Sequence, residues 1–243
     1  MILLFTDFRQ DGPYVGQMHA VLAQRAPGLP VIDLMHDAPA HDPRAAAYLL
    51  AALVPEMPAA CVCCAVVDPG VGTDRPAILL EADGRWFVGP GNGLLEIVRR
   101  RAQAARQHLL TWRPERLSDS FHGRDLFAPA AARLASDGAV PADWLGGAAA
   151  GRAGADWPDD LAEVIYVDGF GNLMSGLRAD GVAETTRLEA GGETIDHARV
   201  FGEVPGGTLF WYRNSIGLVE IAQSRGRAAE QLDLRVGDRI TFL

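Results

Sequence analysis

The run Val66-Val67-Asp68-Pro69-Gly70-Val71-Gly72-Thr73-Asp74-Arg75 ends an apolar stretch in a carboxylate, turns it through two glycines and delivers an arginine. A buried strand that stops at an aspartate puts that carboxylate at the strand's carboxyl end, the edge where open α/β sheets bind ligands. Similar loops carry Asp7 in Thr6-Asp7-Phe8, Asn92 in Pro90-Gly91-Asn92-Gly93, and His122 in Phe121-His122-Gly123-Arg124-Asp125. The second half adds Asp168-Gly169-Phe170-Gly171-Asn172 and Asn214-Ser215-Ile216-Gly217. Carboxylates and an imidazole in such places suit the orienting of a small ligand and the movement of a proton. No loop has the glycine spacing of a dinucleotide or phosphate cradle, and no GxSxG nucleophile elbow is present. Taken singly, each residue also has a plain structural explanation. Asp7 and Asp125 could cap helices, Asp68-Pro69-Gly70 could be an ordinary turn, and Asn172 and Ser215 stand where turns favour them. The argument lies in their ordered combination.

The elements that must position them alternate through the first half. Strands are expected at 1–6, 30–34 and 60–67, and helices at 14–25 and 42–53. A hairpin over 77–81 and 85–88 turns at Asp83-Gly84, a helix follows at 92–105, an extended segment at 108–112 and a helix at 125–136. This pattern predicts an α/β domain, sandwich-like around a central sheet, over residues 1–150. Glycine and alanine around Trp157-Pro158 mark a linker at 151–159. Beyond it the helical signal nearly vanishes. Short strands at 164–167, 173–177, 185–188, 208–212, 217–221 and 239–243 predict a smaller all-β, barrel-like domain over 160–243.

Composition narrows the function. A chain of 243 residues with a net charge of −9 offers no basic face for phosphate neutralisation, so nucleic acid is not an expected partner. The Arg99-Arg100-Arg101 cluster falls where a helix should end and suits the negative end of its dipole. No stretch approaches the roughly 18 apolar residues of a membrane span. The first residues read as a strand, not a signal peptide. Three cysteines, Cys61, Cys63 and Cys64, share one apolar strand. Neighbours on a strand face opposite ways, so they read as core residues of a protein in a reducing cytoplasm, not as a metal site.

The ordered motifs resemble the S-adenosyl-L-methionine (SAM) hydroxide adenosyltransferases, relatives of the fluorinating and chlorinating enzymes. The resemblance spans essentially the whole chain. It rests on Thr6-Asp7-Phe8 with Tyr14-Val15-Gly16, on Val31-Ile32-Asp33, on Ala65 to Thr73 with Arg75, and on Val88-Gly89-Pro90 with Asn92-Gly93-Leu94-Leu95. It continues through Phe121 to Asp125, Asp168, Phe170-Gly171-Asn172 and Asn214-Ser215. It implies hydrolysis of SAM to adenosine and L-methionine, with no metal or other cofactor, in a homotrimer whose sites lie between subunits. It implies a catalytic set of Asp68, Arg75 and His122. It also implies substrate contacts from Asp7 to the ribose hydroxyls, Asn172 to the adenine edge, and Asp168 and Ser215 to the ends of the methionine moiety. Asn92 joins these substrate-binding candidates.

The chemistry needs such a set. The carbon beside a sulfonium is activated because methionine leaves as a neutral thioether, but water, with a pKa of about 15.7, is a weak nucleophile. A carboxylate or imidazole in hydrogen-bond reach can orient it and accept its proton, and an arginine would hold the carboxylate in place. The residues leave open which of Asp68 and His122 takes the proton. A halide nucleophile is the alternative within the fold; it needs a dehydrated pocket without a competing base, and the halide enzymes lack the counterpart of His122. A SAM or adenosine sensor without turnover is a third reading. The chain departs from the family pattern at Arg9, Gly12 and Gly91, where a glycine, an acid and an aspartate are usual.

Overall fold

The computed structural model describes residues 1–147 and 152–243, in two compact units, Met1–Trp157 and Pro158–Leu243. In the first unit, strands β1 (Ile2–Thr6), β2 (Val31–Met35), β3 (Val62–Val66), β4 (Ala77–Ala82), β5 (Arg85–Pro90), β6 (Ala105–Leu110) and β7 (Leu145–Gly146) form one sheet. Its order is β2-β1-β3-β5-β4-β6-β7. Strands β2, β1, β3 and β5 run parallel, while β4, β6 and β7 continue the sheet by antiparallel pairing.

Central parallel strands are covered on both faces and so read as unbroken apolar runs. Every residue of β1 and of β3 is buried. Cys61, Cys63 and Cys64 are free and buried, and burial pushes the Cys64 thiol up to about 12. They are core residues. Helices α1 (Tyr14–Arg25), α2 (Pro43–Leu53), α3 (Glu96–Arg101) and α4 (Ala128–Asp137) complete the unit. α1 presents Val15, Met18 and Leu22 to the core, and α2 begins on an Asp42 side chain that accepts from the Ala45 amide at 3.0 Å. Among the described residues no helix is long and apolar enough to cross a membrane.

Two expected helices of this unit differ. The helix at 92–105 shrinks to α3: Gly93 takes a φ of +101° that breaks the first turn, and pairing with β4 claims residues from Ala105 onward as β6. The helix at 125–136 opens as a wide π turn over Gly123–Phe127 before becoming α4. Pro129 has no amide to offer the carbonyl of residue 125 and its ring crowds that carbonyl, so a regular α turn cannot close there. Asp125 therefore lies inside the turn and caps nothing. The basic cluster does end α3, with Arg99 paired to Glu96 at 2.7 Å.

The boundary between the two units falls inside the expected linker at 151–159, after Trp157. Gly151 and the preceding 148–150 lie outside the described residues. Arg100 donates to the carbonyls of Gly154 and Trp157 at 3.0 and 2.7 Å, which fastens this segment to the first unit.

The second unit holds two antiparallel sheets. One has β8 (Leu161–Val167), β9 (Leu173–Arg178), β12 (Leu209–Arg213) and β13 (Leu218–Gln223) in the order β12-β13-β9-β8. The other has β10 (Leu188–Ala190), β11 (Glu193–Ile195) and β14 (Thr241–Phe242) in the order β11-β10-β14. The strand expected at 185–188 thus starts where it was expected to end, and a short helix α5 (Ala228–Leu232) joins the all-β layout. Trp211, Ile221, Leu173 and Leu188 are fully or nearly fully buried in its core.

Candidate active site

Because β1, β3 and β5 are parallel neighbours, the loops leaving them emerge along one edge, carrying Asp7, Asp68 and Asn92. The loop after β3 folds on itself, the Val71 amide reaching the Asp68 carbonyl at 3.2 Å and the Thr73 hydroxyl the Gly70 carbonyl at 2.6 Å. Gly72 is required: its φ is +80°, and a Cβ there would sit 2.4 Å from the Asp119 carbonyl oxygen. That close approach brings the Asp68 loop against the segment leading to His122. On that side Asp125 accepts from the Ser118 amide at 2.9 Å and holds Arg124, which reaches back to Gln17 on α1 at 2.6 Å. His122 stands at the start of the π turn.

Arg75 joins the two loops. Its Nε donates to Asp68 Oδ1 and Oδ2 at 2.9 and 3.0 Å, its Nη2 to Oδ2 at 2.5 Å, and the same Nη2 to His122 Nδ1 at 2.8 Å. Its guanidinium also lies over the Phe127 ring, 5.1 Å from the centroid. The pair is nearly sealed, with Asp68 and Arg75 side chains 4 % and 10 % exposed. A guanidinium has no acceptor, so Nδ1 of His122 must be the unprotonated nitrogen and a neutral ring carries its proton on Nε2. Burial, followed by the Arg75 cation, lowers the His122 pKa, with the Asp68 carboxylate only partly opposing. At neutral pH this histidine is an uncharged ring presenting an N–H.

A cavity of about 280 Å³ opens onto this cluster, lined by Asp7, Phe8, Tyr14, Asp68, Phe121 and His122 among others. Phe8, Tyr14 and Phe121 form an apolar wall with ring centroids 5.3 to 5.8 Å apart. Asp7 Oδ2 accepts from the His41 amide at 3.0 Å, which leaves Oδ1 without a partner among the described residues. Asp7 caps no helix; α1 starts at Pro13 without a side-chain cap. Asn92 does not line this cavity. Its amide donates to the Val67 carbonyl at 2.9 Å and accepts from the Leu94 amide at 3.2 Å, bracing the strand end that carries Asp68. Arg9 adopts a φ of +60°, a left-handed backbone that glycine takes without strain. Gly91 packs its backbone on Pro76 and Ile78, with no room for a Cβ.

Asp168, Asn172 and Ser215 share a separate cleft of about 610 Å³ within the second unit. Asp168 Oδ1 accepts from the amides of Phe170 and Asn172 at 2.9 Å each, and Oδ2 from the Asn172 side-chain amide at 3.0 Å. The cleft also holds a group not singled out from sequence. Glu220, 2 % exposed, accepts from the Tyr212 hydroxyl at 2.5 Å and from Asn214 Nδ2 at 2.8 Å. Burial raises its carboxyl above the ordinary value, against the two hydrogen bonds that lower it. The signal was a lone carboxylate inside the apolar run Leu218-Val219-Glu220-Ile221-Ala222, directly opposite Tyr212 on the neighbouring strand.

Comparison with known proteins agrees along the whole chain. Residues 2–143 match the SAM hydroxide adenosyltransferase N-terminal domain and residues 162–241 its C-terminal domain. A Thermus thermophilus protein named (R)-S-adenosyl-L-methionine hydrolase is 41% identical, covering 100% of this chain and 99% of its own. A Salinispora arenicola protein of the same name is also 41% identical, over 97% of this chain and 94% of its own. A crystal structure of an uncharacterized conserved protein from Thermotoga maritima covers 100% of both chains with a TM-score of 0.90 at 30% identity. The chain belongs to the SAM hydroxide adenosyltransferase family.

Proposed function

We propose that the protein hydrolyses SAM to adenosine and L-methionine, acting on the (R) sulfonium epimer that its relatives' names specify. The observation that carries the reading is Arg75 bridging Asp68 and His122 beside an aromatic-walled cavity. A water there accepts the Nε2 proton of His122 as a hydrogen bond and donates to the Asp68 carboxylate. Arg75 occupies Nδ1, so the imidazole has no lone pair left for the water, and we assign the proton to Asp68. As the oxygen bonds to C5′, the C5′–S bond breaks, methionine departs as a thioether, and Asp68 passes its proton to solvent. The reaction consumes one water and releases one proton, and nothing in it calls on a metal.

Asp7 suits the ribose hydroxyls, since a carboxylate can accept two hydrogen bonds at once. Asn92 acts through Val67 as a positioning residue for Asp68. Asp168, Asn172 and Ser215 take the adenine and methionine ends, as the family resemblance implies. A homotrimer with sites between subunits and a cytoplasmic location complete the reading on that same resemblance. A halide nucleophile is opposed by the carboxylates of Asp7 and Asp68 on the same cavity, which repel an anion.

The test is incubation of the pure protein with each SAM epimer in halide-free buffer, following adenosine and methionine by chromatography. Adenosine formed from the (R) epimer and lost in Asp68→Asn supports the assignment. A halogenated nucleoside on adding halide would transfer it to the halide reading, and tight binding without product would leave a sensor.

A further inference from the structure

We propose that His19, Asp33 and His36 form a binding site for a divalent transition-metal ion, with Zn2+ the best fit. The three residues come from two neighbouring elements. His19 projects from α1, Asp33 lies in β2, and His36 immediately follows that strand. Their donor atoms lie within 4.8 Å of one another. Nε2 of His19 stands 2.7 Å and Nε2 of His36 3.0 Å from the same carboxylate oxygen, Asp33 Oδ1.

His36 makes this more than a surface hydrogen bond. Its side chain is 2 % exposed, yet its Nε2 has no hydrogen-bond partner, because it faces Asp33 Oδ1 without the alignment a hydrogen bond needs. A buried polar atom left this way is costly. An ion held between the two imidazoles and the carboxylate would satisfy it. The other ring nitrogen, Nδ1, lies 2.7 Å from the Thr6 hydroxyl, the outer hydrogen bond that typically fixes a metal-binding histidine in its tautomer. That hydroxyl also accepts from the Phe8 amide at 3.2 Å, so the arrangement is built into the end of β1.

The donor set selects the ion. Two imidazoles and one carboxylate suit Zn2+ and its neighbours, whereas Ca2+ and Mg2+ prefer oxygen shells. Ligand atoms of a tetrahedral zinc lie about 3.4 Å apart at bond lengths near 2.1 Å. Half-exposed His19 and Asp33, 37 % and 36 % exposed at their side chains, can make that small adjustment and leave a fourth position for water. Bound there, the ion would clip α1 to β2, an edge strand of the seven-stranded sheet.

The experiment uses untagged, chelator-stripped protein dialysed against Zn2+, with bound metal counted by mass spectrometry and the melting temperature recorded. A parallel sample takes Co2+, whose visible absorption reports a nitrogen-bearing tetrahedral site. The expected result is one Zn2+ per chain, a higher melting temperature, and at least a tenfold weaker affinity in both His19→Ala and Asp33→Asn. His19→Ala alters a half-exposed position on a helix surface, so folding is preserved. Failure of the native protein to retain stoichiometric Zn2+ overturns the proposal. So does retention at full affinity in both variants, which would put the ion elsewhere.

Discussion

The two polar clusters differ in what holds them. Asp68 and Arg75, seven residues apart, form a nearly buried ion pair, and Arg75 reaches across 47 positions of chain to His122, where the guanidinium dictates the histidine tautomer. Asp168 and Asn172 hold each other within a single turn, four residues apart, with the aspartate spent largely on local backbone amides. The first arrangement is preorganised charge aimed at one cavity; the second is a shaped recognition surface whose neighbours Phe170 and Ser215 remain exposed. Chemistry should therefore fail when the long-range cluster is cut, and affinity should fail when the local one is.

The sharpest break of that contrast is Asp68→Asn. It removes the proton acceptor while keeping shape, and steady-state kinetics should show kcat lowered about 10³-fold with KM little changed. A variant that keeps native kcat would end the assignment of Asp68. Arg75→Ala leaves a buried carboxylate unpaired and is expected to lower stability by about 3 kcal/mol, read from denaturant unfolding. An unchanged midpoint would mean that the pair is structurally idle.

On the other side of the comparison, Ser215→Ala should raise KM by roughly tenfold, the value of one hydrogen bond to a charged group, while kcat stays near native. A loss in kcat instead would erase the distinction between the two clusters.

The neutral ring of His122 supplies a subtler test. Its pKa is lowered, so the uncharged form persists below the ordinary value and is lost only as pH falls through the lowered one. The acid limb of kcat/KM should have its midpoint below 6.5 and be absent from His122→Gln. A midpoint above 6.5 would contradict the burial and the Arg75 cation that surround the ring. The smallest effect is expected from Arg9→Gly. Relief of the left-handed backbone, partly cancelled by the freedom glycine has when unfolded, should add about 0.5 kcal/mol, visible as a small rise in Tm with activity unchanged.

Much of this was legible because it is local. Unbroken apolar runs announced β1 and β3, and the glycines after Asp68 announced a turn at a strand's carboxyl end. Asp42-Pro43 announced the start of α2. Periodicity overreached where tertiary demands overruled propensity. The helix expected from residue 92 lost its ends to the turn at Gly93 and to β6, and Pro129 converted the expected start at Asp125 into a π turn.

By itself the sequence determined which residues could do chemistry and the order in which the loops bear them, since residue type and turn chemistry act over a few positions. It took the folded chain to establish that Arg75 spans Asp68 and His122, that Glu220 lies opposite Tyr212, and that His19 meets Asp33 and His36. Arg75 and His122 are 47 residues apart and Tyr212 and Glu220 only eight, but each contact follows from strand register, sheet order or the close approach of two loops, none of which a local pattern encodes.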